Sequence, residues 1–188
     1  RSFADLLRWE QKDLVARFGG TGERLWHLAR GEDRRRVSAN APVKSISKET
    51  TFMEDTASLD VLDGHLWRMA EKVADRAKAK SLAGRVVILK LKRSDHSLLS
   101  RRISLRNSTQ MADTIYLAAR GLLDNIEEPG PFRLLGCGLA DFTDATASDF
   151  ASDLLDPNAG KRAQAERATD KIRQRFGPSA ISKGRSLR

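Results

Sequence analysis

Bond-making chemistry needs reactive groups gathered together, and the sequence offers few. Asp60 and Asp63 stand three apart on a helix-periodic segment, where they flank a helix start. They do not make the compact carboxylate cluster that holds two metal ions for phosphoryl transfer. His27, His65 and His96 are scattered, and a single cysteine, Cys137, leaves neither zinc-ligand spacing nor an internal disulfide. Cys137 itself reads as a small buried hydrophobe. A glycine-rich nucleotide loop of the GxxxxGK[ST] kind is missing. The reading therefore assigns no catalytic and no metal-binding residue. What the chain does carry are groups that hold phosphates. Gly19, Gly20 and Gly22 punctuate two helical stretches, where glycine permits positive φ and leaves bare N–H groups at a helix start. The cations gather as Arg34, Arg35 and Arg36, as Lys44 and Lys48, as Lys90 and Lys92, and as Arg101 and Arg102.

The overall charge agrees with that inventory. Thirty-four Lys and Arg against 25 acidic residues give a net charge of +9, a balance that suits a polyanionic partner, usually nucleic acid. With 188 residues, 40% of them hydrophobic, the chain can build one ordinary domain with appendages. No stretch approaches the ~18 consecutive apolar residues of a membrane span, and no signal peptide opens the chain. A lone cysteine fits a reducing cytoplasm. The start at Arg1 rather than Met, on a helical segment, leads us to expect a piece of something longer.

The elements that must position these groups follow from periodicity. Up to Glu32, Leu14, Val15, Phe18, Leu25, Trp26, Leu28 and Ala29 give apolar faces to two short helices around the glycine turn, a helix-hairpin-helix-like arrangement. Residues 33–43 lose periodicity and form a basic linker. Lys44 to Phe52 alternates as a strand. Leu59, Leu62, Leu66, Met69, Ala70, Val73 and Ala77 make a helical stripe, with Ser58 as N-cap. Arg85 to Lys92 and Ser97 to Leu105 are strands joined by a turn at Ser94–Asp95–His96. A helix follows from about Thr109, with Met111, Ile115, Ala118 and Leu122 on one side, and Pro129–Gly130–Pro131 stops it. Phe132 to Phe142 is the last strand. The order βαββαβ predicts an α+β fold, a four-stranded antiparallel sheet with two helices on one face, ferredoxin-like in outline. Val87, Leu89 and Leu91 should then face the helices, and Lys90 and Lys92 the open face. Leu135, Cys137 and Leu139 alternate with Leu134, Gly136 and Gly138, so the open side of the last strand is nearly flat. Trp26 and Trp67 read as packing anchors.

Several strings are more specific than any of this. Leu14-Val-Ala-Arg-Phe-Gly-Gly-Thr-Gly-Glu-Arg-Leu-Trp-His-Leu-Ala-Arg-Gly-Glu-Asp33 resembles the thumb of Y-family (translesion) DNA polymerases. Lys44-Ser-Ile-Ser-Lys-Glu-Thr-Thr-Phe52, Gly84 to Lys92, Ser100 to Leu105 and Arg133 to Leu139 are similar, in order and spacing, to strands of that family's little-finger domain. The polymerase IV (DinB) branch fits best. Ile103 departs from the pattern, standing where the family's third strand often has a second arginine. The resemblance implies residues 1–32 as the end of a helical thumb, 33–43 as linker, 44–142 as little finger and 143–188 as a flexible tail. It further implies a grip on primer–template DNA through phosphates, which position without specifying sequence. Magnesium is then expected for the parent polymerase and no cofactor for this fragment, whose palm is absent. In the tail, Ala151-Ser-Asp-Leu-Leu155 resembles a sliding-clamp-binding peptide, with Asp153, Leu154 and Leu155 as its core, although Ala151 replaces the usual leading glutamine. From Pro157 onward nine Lys and Arg stand against Glu166 and Asp170, on a weakly amphipathic helix (Ala165, Ala168, Ile172, Phe176). A monomer is expected, with no membrane partner. Two other readings stay open at this point. One is a stand-alone ferredoxin-like nucleic-acid module, disfavoured by the lack of aromatic residues on the strands read as central, 84–92 and 97–105. The other is a catalytically inactive relative of the same polymerases.

Overall fold

A computed structural model of the chain describes residues 2–37, 41–127, 130–145, 158–177 and 179–184. The chain divides into two compact units, Arg1–Pro42 and Val43–Arg188.

The first unit holds three short helices, α1 (Phe3–Leu7), α2 (Gln11–Phe18) and α3 (Gly20–Ala29). Gly19 ends α2 and opens α3 at φ +56°, ψ −140°, a backbone that side-chain-bearing residues avoid. Gly22 is required for another reason. A Cβ there would stand 1.9 Å from the Leu14 carbonyl oxygen, so α3 lies directly on the backbone of α2. Gly20 meets neither constraint, having open space around it. Arg30 stacks its guanidinium on Trp26 at 3.8 Å and donates to the Trp26 and Leu7 carbonyls, tying α3 to α1. Leu14 is the one large side chain buried in this unit among its described residues, while Phe3, Leu7, Val15 and Phe18 stay exposed.

In the second unit the strands are β1 (Ser45–Thr56), β2 (Leu82–Lys92), β3 (Leu98–Thr109) and β4 (Phe132–Asp144). They form one antiparallel sheet in the order β1-β4-β2-β3. The α+β class and βαββαβ order are as expected. The strand order makes β2 and β4 central and leaves the 97–105 strand, taken as central from the sequence, at an edge.

Helix α4 (Leu59–Lys78) begins where Ser58 Oγ accepts from the Val61 amide, has Asp60 in its first turn, and ends on Arg76 and Lys78, charges that suit both ends of the helix dipole. With α5 (Ala112–Asp124) it covers one face of the sheet. Leu62, Leu66, Trp67, Ala70 and Val73 of α4 pack there with Val87, Leu89, Leu91, Leu135, Cys137 and Leu139 of the strands. The inward stripe of α5 is Ala112, Ile115, Tyr116, Ala119 and Leu123. Ala118 and Leu122, assigned to that stripe from the sequence, are only partly buried because the helix is rotated by one position. The Trp67 and Tyr116 rings meet edge-on at 5.3 Å. Tyr116 Oη and Arg120 both donate to Asp63 Oδ1, at 2.6 and 2.7 Å, so this carboxylate joins α4 to α5 instead of waiting for a ligand.

A third layer corrects the sequence reading. The short basic helix expected within a flexible tail is there as α6 (Ala159–Phe176), but it is docked on the outside of α4 and α5. Its Glu166, 4% exposed, accepts from the Ala112 and Asp113 amides at 2.8 and 3.3 Å and from Lys78 Nζ at 2.7 Å. Met111 has no side chain able to cap α5, and Glu166 caps it from a distance. Asp170 takes a second Lys78 hydrogen bond at 2.6 Å, and Arg162 pairs with Asp113. Arg173 binds Glu71 and the Ile181 carbonyl, and Lys183 lies 4.6 Å over the Trp67 ring. The basic character of α6 is thus partly spent on the domain's own acids.

Candidate nucleic-acid interface

The face of the sheet away from the helices is the candidate surface, and its chemistry comes from register. Directly opposed residues of neighbouring strands share a face, so side chains line up in rows across the strands. One row reads Glu49, Gly136, Lys90, Ser100; the next reads Ser47, Gly138, Ile88, Arg102; a third reads Thr51, Leu134, Lys92, Leu98. The two glycines lower the floor of β4 in the middle of the sheet. At Gly136 a Cβ would fall 2.8 Å from Glu49 Cγ, and this vacancy lets Lys90 reach across the strand to donate to Glu49 Oε1 at 2.6 Å.

Lys90 and Lys92 therefore lie on the open face, with Val87, Leu89 and Leu91 turned to the helices. Of the two arginines whose facing the sequence left open, Arg102 shares the open face with Ile88. Arg101 pairs with Leu89, on the helix side of this edge strand, and leaves the front-face group. Lys48 pairs with Cys137 and belongs to the helix side as well. The face is flat but less basic than expected, because Glu49 offsets Lys90. More than a third of both side chains is solvent-exposed, and such a pair contributes only ~0–1 kcal/mol, so Lys90 can exchange Glu49 for another anion at little cost.

The remaining candidates lie elsewhere. Lys44 is exposed just before β1. Arg34, Arg35 and Arg36 follow α3 in exposed, irregular backbone. Arg35 forks onto Asp33, whose carboxyl is held at about 2 by hydrogen bonds from the Arg35 side chain and amide. In the helical unit, no side chain caps the start of α3, and Gly19, Gly20 and Thr21 are exposed there. Asp153, Leu154 and Leu155 lie outside the described residues. Among the described residues there is no group of three or more His, Cys, Asp or Glu able to hold a metal ion. Burial pushes the Cys137 thiol up to about 12, which makes it an inert core residue. No helix of the described residues is long and apolar enough to cross a membrane.

Sequence reasoning missed Glu49, the acid that tempers the face, because nothing local marks it as the cross-strand partner of Lys90. It also missed a basic stripe on α4, Arg68, Lys72 and Arg76, although their four-residue spacing is visible in the sequence.

One unit carries a flat, partly cationic sheet and the other a glycine-turn helix pair, and comparison with known proteins gives the chain a family. Residues 43–152 match the C-terminal domain of the impB/mucB/samB family, and the chain belongs to that family. It is similar to DNA polymerase IV 1 of Mesorhizobium japonicum, 44% identical over 184 residues, covering 98% of this chain and 42% of that protein. DNA polymerase IV of Brucella melitensis is 39% identical over 98% of this chain and 41% of its own length. The Caulobacter vibrioides DNA polymerase IV is 37% identical over the whole chain and 46% of its own length. The chain thus spans less than half the length of these relatives. They agree with the resemblance to the C-terminal part of DinB-type Y-family polymerases drawn from the sequence.

Proposed function

We propose that this chain is the DNA-gripping C-terminal region of a translesion DNA polymerase of the polymerase IV type. The observation that carries the reading is the front of the sheet: a floor lowered at Gly136 and Gly138, bordered by Lys90, Lys92 and Arg102. Two side-chain-free positions keep this face flat beneath its neighbours, and cations on flexible stems neutralise phosphates without reading bases. The open-face positions of β2 and β4 carry no aromatic side chain on which bases would stack, which favours a duplex held by its backbone over a single-stranded RNA module. The amides at the start of α3 add a second phosphate seat on the helical unit.

In the parent protein the resemblance assigns nucleotide addition to a palm whose carboxylates hold magnesium; this region positions primer–template DNA for it. The peptide at Asp153, Leu154 and Leu155 would tether the polymerase to the sliding clamp, raising its local concentration on DNA. A cytoplasmic monomer completes the reading.

The test is fluorescence anisotropy with a labelled primer–template hairpin across a salt series. The expected outcome is binding whose log–log salt slope falls in magnitude by about 2 on combined Lys92→Ala and Arg102→Ala substitution, at ~0.9 per phosphate contact. An unchanged slope and affinity would remove the front face from the interface.

A further inference from the structure

On the helix-clad side of the same sheet, a cleft of about 480 Å³ opens between the edge strand β1 and helix α4. Lys48 and Thr50 line it from β1, and His65, Arg68 and Lys72 from α4. The α4 residues are three and four apart, so they form one stripe running roughly 10 Å along the helix at 1.5 Å per residue. Two acids also face the space. Glu71 is held by Arg173 at 3.0 Å, an internal neutralisation. Asp75 sits 4.0 Å from Lys72. Four cations, Lys48, Arg68, Lys72 and Arg173, thus line the cleft with these two acids, and the hydroxyls of Thr50 and Ser182 add neutral donors. Lysine, arginine and hydroxyl donors converging on an open channel suit a row of phosphates.

We infer that this cleft takes the phosphodiester backbone of single-stranded DNA. The inference rests on the reading of this region as DNA-gripping, and geometry selects the single strand. Lys48 stands on the opposite side of the sheet from Lys92 and Arg102, so a stiff duplex lying flat on the front cannot also fill the cleft, whereas a flexible strand can turn round the β1 edge. His65 is held edge-on to Phe52 at 5.0 Å and offers a ring for a base. Its pKa is lowered by burial and by Arg68, so the ring is neutral at pH 7 and acts by stacking, not by charge.

Anisotropy with labelled dT12 and with the primer–template hairpin separates this site from the front face. Lys48→Ala, Arg68→Ala and Lys72→Ala together should weaken dT12 binding at least about tenfold while changing hairpin binding less than about twofold, since each lost phosphate contact also removes ~0.7 from the single-strand salt slope. Lys92→Ala with Arg102→Ala should do the reverse. Removing three exposed charges of α6, by Lys161→Ala, Lys171→Ala and Arg175→Ala, should leave dT12 binding within about twofold. The charge-preserving set Lys48→Arg, Arg68→Lys and Lys72→Arg should restore it. The inference is overturned if the unsubstituted chain does not hold dT12, if the cleft variant holds it equally well, or if the α6 variant loses as much. Failure of the unsubstituted chain to bind the hairpin would instead strike the proposed function.

Discussion

On the back of the sheet, Val87, Leu89, Leu91, Leu135, Cys137 and Leu139 are sealed beneath α4 and α5. On the opposite face, the residues that alternate with them in the same two strands include Ile88, Lys90 and Lys92, which are half-exposed, and Gly136 and Gly138, which lie beneath their neighbours' side chains. The strands are shared, so the difference lies wholly in which alternate set points where. The back gains its free energy from burying apolar area and from a few fully used polar groups. The front has almost nothing to gain from folding and keeps its cations in water, ready for an external anion. Stability and binding are thereby assigned to opposite parities of the same strands, and substitutions should separate them.

The largest effect tests the back. Trp67→Ala empties the centre of the helix–sheet layer and should cost ~3–5 kcal/mol in denaturant unfolding. Hairpin affinity measured well below the transition should stay unchanged. A cost under about 1 kcal/mol would mean that Trp67 is not the anchor its burial indicates.

Next comes the outer layer. Glu166→Ala uncaps α5 and leaves the Lys78 ammonium with only Asp170, which should cost ~1–3 kcal/mol. If thermal melting shifts no more than for an exposed α6 residue such as Lys171, then α6 is a passenger and the tail reading stands.

The same cluster gives a pH signature. Burial by itself lowers the Lys78 pKa, but the charges of Glu166 and Asp170 and their hydrogen bonds outweigh it, so the folded value is raised above the ordinary 10.5. A raised pKa on a cationic group gives stability that is fully present below pH 10.5 and lost as pH climbs through the folded value. Lys78→Gln should be less stable near neutrality and show a flatter decline above pH 10.5. Parallel declines would remove Lys78 as the source.

The smallest expected effect sharpens the front. Glu49→Gln releases Lys90 from its carboxylate and removes a repelling charge, at a stability change of only ~0–1 kcal/mol. Hairpin binding should tighten severalfold and its salt slope steepen by about 0.9. Weaker binding would show that Glu49 positions Lys90 instead of competing for it.

Much of this was legible before any coordinates. The stripe of α4 and the alternation of β2 and β4 set element types, because burial on one face imposes a period that survives in the sequence. The facing of Lys90 and Lys92 followed from the leucines beside them. Arg101 and Arg102 could not be separated this way, because β3 is an edge strand exposed on both sides and carries little alternation. The Gly19 turn was visible too, although the sequence could not tell that Gly19 is needed for positive φ, Gly22 for contact with Leu14, and Gly20 for neither.

Sequence alone therefore determined the βαββαβ order, the faces of the central strands and the family resemblance, since each rests on local periodicity or contiguous strings. Tertiary structure alone decided the β1-β4-β2-β3 strand order, the Lys90–Glu49 pair across Gly136, and the capping of α5 by Glu166. Those join residues about 40 to 90 positions apart or more, and no local pattern encodes which distant carboxylate will meet a given amide or ammonium once the chain has closed.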